Sequence, residues 1–460
     1  MDQLVSSSDA QFDATTAMLL DVAGRAAYDA LPATVLHDTK LRLLDAFTCA
    51  LAAYEHPTSV LARKSAQRVS AIKPATVWGS NIKTTPESAA FTNGVMTRLL
   101  DISDTYLGKS RGHPSDMISG LVAVAEANHC DGKSLLGAMA LAYDVYCSFA
   151  AAIDVNSKGW DQPVYGILGT VLGAGRLLKL NREQLGHAIA LALAPNMALA
   201  QSRRGHLSNW KGCAGANASR NAVFAAALAQ DGFTGPSAVF EGEGGLWEIV
   251  GRHDWPIPEG RFWISETYIK GLPVCYHGQA AVYAALELRD RVKLDDVEEI
   301  KVSAYQAAVS MMGKDANRWA PTTHETADHS LPFCVASALR DGEFNAHTFS
   351  HERLHDPVML ALMAKVRVAE DTRHTSLYPE AAPGRVSIRM KGGAVHEKEV
   401  IYPKGHAKAP MSEAEVIAKF KNMSRMRLDT GKQSQVIDLI MNFDKAPDLT
   451  GLLLGVATHD

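Results

Sequence analysis

Several features that would assign this chain to a common class are absent from its sequence. The formal net charge is -4, from 46 basic and 50 acidic side chains, so no global positive field exists to hold nucleic acid or an anionic membrane. The six cysteines are scattered and form no CxxC pair, which argues against a zinc ribbon or an iron-sulfur cluster and for reduced, mostly buried thiols.

The chain also lacks the usual signs of export or membrane insertion. Its first twenty residues carry acidic and hydroxyl side chains where a secretory signal needs a basic segment followed by an apolar one. The apolar stretch 187–200 is interrupted by Pro195 and Asn196 and is shorter than the roughly 20 residues that cross a bilayer. We therefore expect a cytoplasmic protein with no membrane or nucleic-acid partner, in which local cations meet any anionic substrate.

The hydrophobic pattern divides the 460 residues into two kinds of sequence. Residues 12–265 are rich in Ala and Leu at helical spacing, which predicts an all-helical domain. Beyond Lys270, the segments 297–305 and 384–402 alternate apolar and polar residues around a Gly392-Gly393 turn, which predicts strands and a hairpin. With helical stretches at 329–342 and 356–366, this favours an all-helical domain of residues 1–266 and 405–460 and an α+β domain of residues 267–404.

The densest polar cluster lies at residues 99–116. Asp104 and Thr105 lie three and four residues after Asp101, so one helical turn would place them on the face of Asp101, with His113 returning across the loop. A carboxylate and an imidazole form a plausible acid-base pair. The alternative is structural: one of the aspartates caps a helix while His113 satisfies a buried turn.

Two further segments gather positive charge. Arg203 and Lys211 lie in the basic stretch 201–220, where they suit carboxylate recognition or, alternatively, complement a helix dipole. Lys270 lies at the change of sequence texture, with Cys275 and His277 close behind. A cleft between domains is a preferred ligand site, whereas Cys275 fits a buried structural thiol better than a nucleophile.

The stretch 318–333 contains His324 and His329, which could suggest a metal site. Their spacing of five differs from the i, i+4 pair that places two histidines on one helical face, so we do not expect a metal there. Capping of a helix by Asp328 or Ser330 is the simpler interpretation.

With these motifs in view, the sequence closely resembles the MmgE/PrpD family, whose members include 2-methylcitrate dehydratases, cis-aconitate decarboxylases and an iminodisuccinate epimerase. The resemblance covers nearly the whole chain. It is carried by LDISDTYLGKSRGHPSD (100–116), HLSNWKGCAGANASRNAVFAAALAQDGFTGPS (206–237), KGLPVCYHGQAAV (270–282), ETADHSLPF (325–333) and YPKGH (402–406).

The resemblance implies a mainly α fold, with a large all-helical domain and a smaller α+β lid, a homodimer, a site between the domains, and no metal or organic cofactor. The positions that match residues lining the active site of cis-aconitate decarboxylase-type relatives are Asp101, Thr105, His113, Lys211 and Lys270. We predict catalytic roles for Asp101, His113 and Lys270. We predict substrate-binding roles for Asp104, Thr105, Arg203, Lys211 and His277.

Within the family, the long loop at 104–116 and the string around ETADHSLP resemble the 2-methylcitrate dehydratase branch, which acts in propionate catabolism. The decarboxylase relatives have a histidine where the alignment places Cys275, which argues against decarboxylation. The expected activity is therefore dehydration of a small hydroxy-polycarboxylate. The alternatives are a decarboxylase, isomerase or epimerase of a related polycarboxylate such as cis-aconitate, and a non-catalytic binding protein.

Overall fold

A computed structural model describes residues 11–204, 207–344 and 348–458. The described residues form two compact units: the first holds 11–204, 212–267 and 412–458, and the second holds 207–211, 268–344 and 348–411. The domain boundaries expected from the sequence, near residues 266 and 404, stay a prediction, because compactness does not show that either part folds alone.

Helices make up most of the described chain, and the mainly α prediction is confirmed. In chain order they are α1 Ala14–Arg25, α2 Ala33–Ala52, α3 Pro57–Ala66, α4 Pro86–Arg98, α5 Ile118–Ala127, α6 Gly132–Ala152, α7 Pro163–Leu177, α8 Arg182–Leu193, α9 Trp210–Gln230, α10 Leu246–Val250, α11 Gln279–Leu288, α12 Gln306–Met312, α13 Ala316–Trp319, α14 His324–Ala327, α15 Leu331–Asp341, α16 His351–Leu354, α17 Pro357–Met363, α18 Thr372–Leu377, α19 Glu413–Ser424, α20 Thr430–Met441 and α21 Thr450–Val456.

The strands are few and short. They are β1 Ala75–Thr76, β2 Lys83–Thr84, β3 Tyr106–Leu107, β4 Arg111–Gly112, β5 Val297–Ala304, β6 Val366–Glu370, β7 Gly384–Met390 and β8 Val395–Val400. The first four form two small antiparallel pairs inside the otherwise helical first unit, which the helical periodicity did not predict. The other four form one sheet.

Close helix packing builds the core of the first unit. Helix α7 carries glycines where neighbouring helices approach: a Cβ added at Gly169 would lie 2.4 Å from the sulfur of Met117 and 2.5 Å from the carbonyl oxygen of Ala142. Helix α6 is long and apolar enough to cross a membrane, yet 83% of its most apolar window is buried inside the structure. That burial is typical of a core helix.

The second unit is built on a four-stranded sheet in the order β6-β5-β7-β8. Strand β7 pairs antiparallel with both β5 and β8, and Gly393 adopts a φ of 84° in the β7–β8 turn, so the predicted strands and the Gly392-Gly393 hairpin are confirmed. Strand β6 runs parallel to β5 and was not predicted. The buried side chains of β5 and β7 pack with those of α11 and α15 in one apolar cluster.

Local capping signals fix several helix ends. Ser330 caps α15, since its side chain accepts a hydrogen bond from the Phe333 N–H, and Gly342 ends that helix in the left-handed region. The capping alternative for Ser330 is therefore confirmed.

None of the six cysteines, all within the described ranges, forms a disulfide.

Replacing Ser412 by Ala is expected to destabilise the protein by about 1 kcal/mol. Ser412 forms a capping box with Glu415 at the start of α19, so the change removes an acceptor from the first helical turn. Urea denaturation measures the loss. Ser434 is the control, because its hydroxyl only donates back to the Thr430 carbonyl within α20; equal losses for Ser412→Ala and Ser434→Ala would contradict the capping role.

Candidate active site

The polar loop that the sequence singles out begins where α4 ends, at Arg98. Residues 101–105 are not helical, and Asp101 has a φ of 53°, so the predicted helical turn that would align Asp101 with Thr105 is wrong. The β3–β4 hairpin folds the loop instead. The Thr105 hydroxyl donates to the Gly112 carbonyl oxygen over 2.9 Å, which brings His113 back beside the start of the loop.

Arg98 joins the two predicted acid-base residues. Its Nη1 lies 2.8 Å from Oδ1 of Asp101, and its Nη2 lies 2.7 Å from Nε2 of His113. The Arg98 and Asp101 side chains are each only 2% exposed, so this ion pair is shielded from water and strengthened by the low local dielectric. The structure thus brings Asp101 and His113 together through a buried guanidinium.

These contacts fix the protonation of the His113 ring. Its Nδ1 lies 2.8 Å from the backbone carbonyl oxygen of Asp104, which can only accept, so Nδ1 carries a hydrogen. The guanidinium of Arg98 can only donate, so Nε2 offers its lone pair. These two contacts suit a neutral ring with its hydrogen on Nδ1, in which Nε2 is the nitrogen able to take up a proton.

Asp104 is fully buried and supports the loop from inside. Its Oδ1 accepts from the Ser115 N–H over 2.9 Å, and its Oδ2 accepts from the Tyr143 hydroxyl over 2.8 Å. Burial raises the pKa of the Asp104 carboxyl, and the hydrogen bonds from Ser115 and Tyr143 oppose that rise. These contacts favour a supporting role for Asp104 over direct contact with substrate.

A second set of contacts supports the backbone at His113. The His113 N–H donates to the Tyr146 hydroxyl over 2.9 Å, and that hydroxyl donates to Oε1 of Gln162. The neighbouring Gly112 allows this approach, because a Cβ there would lie 1.9 Å from the Tyr146 oxygen. Gln162 also donates to Asp116 over 3.0 Å, and burial raises the pKa of Asp116 to about 6.

Arg203 lies in the first unit, as the polar loop does, and its side chain is paired with Asp161. The Nε of Arg203 lies 2.7 and 2.8 Å from the two Asp161 carboxylate oxygens, and Asp161 is buried. Within the part of the chain that the structure describes, Nη2 of Arg203 is buried and makes no hydrogen bond. That group keeps donor capacity for a carboxylate.

In the second unit, Lys211 belongs to a buried cluster with Asp328 and His329. Its Nζ lies 3.2 and 3.1 Å from the two Asp328 oxygens and 3.1 Å from Nδ1 of His329. His329 also contacts Asp328. Burial and Lys211 lower the pKa of His329, but the Cys275 sulfur and Asp328 raise it, and the pKa lies above its ordinary value.

Lys270 is almost fully buried, at 1% exposure, in a segment that packs on the YPKGH motif at 402–406. A Cβ at Gly405 would lie 1.8 Å from the Ile269 carbonyl oxygen, so the two backbones touch there, and Gly405 has a φ of 93°. The ring of Tyr268 stacks on that of His406, with centroids 4.4 Å apart. Burial of this lysine, whose hydrated charge is costly to desolvate, is typical of a functional group.

His277 follows Lys270 in a tight turn. Its Nδ1 lies 2.6 Å from the Tyr305 hydroxyl, and the Tyr305 ring stacks on Tyr378 with centroids 4.7 Å apart. Gln279 holds the turn by donating to the carbonyl oxygens of Leu272 and Val274. His277 is therefore fixed in orientation by an aromatic pair.

The two histidines considered for a metal have different neighbours. The ring of His324 stacks on Phe349, with centroids 4.8 Å apart, whereas His329 contacts Lys211 and Asp328. The contacts of the two histidines thus differ: an aromatic ring for His324, and a lysine and a carboxylate for His329.

The sequence analysis does not predict Arg98 as a site residue, and it predicts Asp328 only as a helix cap. Arg98 lies within the apolar run 95–100, and only its position three residues before Asp101 indicates a contact. Asp328 forms an ion pair with Lys211, a contact that the predicted role as a helix cap does not include. No signal in the sequence links those two residues, which are 117 positions apart.

Two protein-family models match this chain. The MmgE/PrpD N-terminal domain matches residues 18–257, and the MmgE/PrpD C-terminal domain matches residues 272–445. The chain is 26% identical over 434 residues to 2-methylcitrate dehydratase of Escherichia coli K12, covering 87% of this chain and 88% of that protein.

Two fungal relatives extend the comparison. The mitochondrial 2-methylcitrate dehydratase of Yarrowia lipolytica is 27% identical over 409 residues, covering 81% of this chain and 77% of that protein. The cis-aconitate decarboxylase-like protein oryM of Aspergillus oryzae is 23% identical over 459 residues, covering 92% and 93%. Because both family domains match and together span most of the sequence, this chain belongs to the MmgE/PrpD family.

Proposed function

We propose that this protein is a hydro-lyase that removes water from a small hydroxy-polycarboxylate, as 2-methylcitrate dehydratase does, without a metal or organic cofactor. The observation that carries the proposal is the Arg98 bridge, in which one guanidinium contacts both the Asp101 carboxylate and Nε2 of His113. A neutral imidazole is a suitable base near neutral pH. The relatives named 2-methylcitrate dehydratase support the choice of reaction.

The proposed reaction needs one base and several cations. His113 takes a proton through Nε2 from the carbon beside a substrate carboxylate, and the electron pair moves onto that carboxylate. The neighbouring C–O bond then breaks, and the hydroxide leaves with the proton returned by His113. One alkene and one water form, and the enzyme ends unchanged.

Before His113 can accept the substrate proton, the Arg98 N–H that donates to Nε2 has to move away from that nitrogen. Arg98 can do so while keeping its other contact, because Nη1 rather than Nη2 meets Asp101. Asp101 stays anionic in this scheme and stabilises the imidazolium that forms. It acts by charge and orientation and transfers no proton.

Charge that develops on the substrate carboxylate requires fixed cations nearby. We assign this work to Lys270 and Lys211, together with the spare donor of Arg203. Lys211 already holds one carboxylate, that of Asp328, in a buried setting. Thr105 and His277 complete the proposed substrate contacts, whereas Asp104 is assigned to the support of the loop.

The test is a chelator-treated assay of purified enzyme with 2-methylcitrate stereoisomers, citrate and related hydroxyacids. Formation of a conjugated alkene is followed by its ultraviolet absorbance, and water loss is verified by mass spectrometry of the product. We expect turnover that survives the chelator and that disappears in a heat-denatured control. Turnover that requires added metal would contradict the cofactor-independent scheme.

A decarboxylase is the second candidate, because one relative is named cis-aconitate decarboxylase-like and decarboxylation also builds charge beside a carboxylate. The same assay separates the two reactions when carbon dioxide release is measured in parallel. Release of carbon dioxide from cis-aconitate, with no water loss from any hydroxyacid, would replace dehydration by decarboxylation.

A further inference from the structure

The first unit contains a cleft that plays no part in the proposed reaction. Its volume is about 500 Å³, and its walls come from the end of α1, the segment 26–32, helix α6 and the segment 257–262. Most of the wall is hydrocarbon, from side chains that include Val22, Leu31, Leu141, Ile257 and Phe262. A cavity of this size and character can accommodate a small organic molecule.

Besides Glu259, which pairs with Arg25, one carboxyl group lines this cleft, that of Asp144. Its Oδ1 accepts a hydrogen bond from the Trp263 N–H over 2.8 Å, and no cation pairs with it among the described residues. Burial, helped by the negative charge of Glu266 and opposed by the Trp263 hydrogen bond, raises the pKa of Asp144 to about 7. A carboxylate in such a setting is costly to ionise without a partner.

The two arginines at the cleft are already paired with acids. Arg25 lies 3.2 Å from Glu259. Arg261 donates two hydrogen bonds to Glu266, over 2.7 and 2.8 Å, and its guanidinium lies over the Trp263 ring. Each of the two arginines is therefore neutralised by its own glutamate. Asp144 is left as the group that a bound cation would complement.

We propose that this cleft binds a small organic ammonium ion with a hydrocarbon body, whose charged nitrogen pairs with Asp144 while its body covers the apolar wall. This site is separate from the proposed dehydration and goes beyond it. A bound ammonium would supply the missing counter-ion, and the hydrocarbon would be removed from water. A carboxylate ligand would meet two arginines that are already paired with Glu259 and Glu266.

The test is isothermal titration of the full-length protein with n-octylammonium, octanoate and octanol at about pH 8. We expect octylammonium to bind most tightly. In Asp144→Asn the amide oxygen can still accept from Trp263, so the fold is kept, and the affinity should fall by roughly 10- to 100-fold. Glu259→Gln is the matched control at the same cleft and should change the affinity by less than about threefold.

Lowering the pH provides a second readout. Because the ammonium pairs with the ionised form of Asp144, whose pKa is about 7, affinity should fall roughly tenfold between about pH 8 and pH 6. Asp144→Asn should abolish that fall, which separates it from any titration of Arg25, Glu259, Arg261 or Glu266. Dehydration activity is not a readout, so failure of the proposed reaction leaves this test intact.

Three outcomes would overturn the proposal. The first is that wild type and Asp144→Asn bind octylammonium equally well. The second is that octanoate binds more tightly than octylammonium. The third is that none of the three probes binds. If no probe binds and Asp144→Asn instead shifts the sedimentation coefficient, a second copy of the chain fills the cleft and the ligand proposal is wrong.

Discussion

Replacing His113 by Gln is expected to lower kcat for the proposed dehydration by about 10²- to 10⁴-fold, with a much smaller change in KM. The glutamine oxygen can accept from Arg98, and its amide can donate to the Asp104 carbonyl oxygen, which are the contacts of the native ring. The backbone N–H of residue 113 can still donate to Tyr146. The variant therefore keeps the loop and loses the proton acceptor.

The measurement is steady-state kinetics on the substrate that the dehydration assay identifies, with thermal unfolding monitored on the same sample. His37→Gln is the matched control, since His37 is a partly exposed histidine that lies 3.6 Å from Glu413, and its kcat should equal that of wild type. A His113→Gln enzyme within about threefold of wild-type kcat would remove His113 from the mechanism. A raised KM with unchanged kcat would make it a binding residue instead.

The sequence is sufficient to predict the two-part architecture because its signals are local. Ala and Leu periodicity indicates the helices, and the alternation at 384–402 with its Gly-Gly turn indicates a hairpin whose strands are neighbours in the chain. Strand β6, by contrast, is defined by parallel pairing with β5, which lies more than 60 residues away. The sequence VRVAE at the edge of the sheet has no distinctive pattern without that partner.

The candidate site shows the same limit. The residue types near 101–113 indicate acid-base chemistry, but they do not show which carboxylate faces inward. Asp104 satisfies the Ser115 N–H and the Tyr143 hydroxyl, while Asp101 contacts Arg98. The predicted helical turn at 101–105 does not form because α4 ends at Arg98 and Asp101 takes a left-handed backbone conformation. Non-glycine residues adopt that conformation at a cost of roughly 1–2 kcal/mol.

Replacing Arg98 by Gln is expected to change the protonation of the His113 ring and to lower kcat for dehydration by about 10²-fold or more. The guanidinium donates to Nε2 of His113 and places a positive charge beside it, so it favours the neutral ring with hydrogen on Nδ1. Without that charge, and with Asp101 close by, the ring should take up a second proton more readily and lose its capacity as a base.

Ring ¹⁵N chemical shifts of histidine-labelled protein measure this directly, with the His113 signals assigned by their loss in His113→Gln. Near neutral pH, wild type should show the shifts of a neutral ring protonated at Nδ1, and Arg98→Gln should move towards imidazolium. Arg182→Gln, which removes an arginine 2.8 Å from Asp21 on the surface, should leave the His113 signals unchanged. A wild-type ring protonated at Nε2 would contradict the Arg98 assignment.

Loss of a buried ion-pair partner also costs stability, up to about 3–5 kcal/mol, so Arg98→Gln needs a companion that folds. Arg98→Lys restores the positive charge but cannot reach both partners with a planar fork. If charge is the property that matters, Lys should restore the neutral His113 ring and part of kcat. If Arg98 only holds the fold, Lys should restore unfolding stability while the His113 signals and kcat stay as they are in Arg98→Gln. The ring spectrum needs no substrate, so it tests the role of Arg98 independently of the reaction proposed for the site.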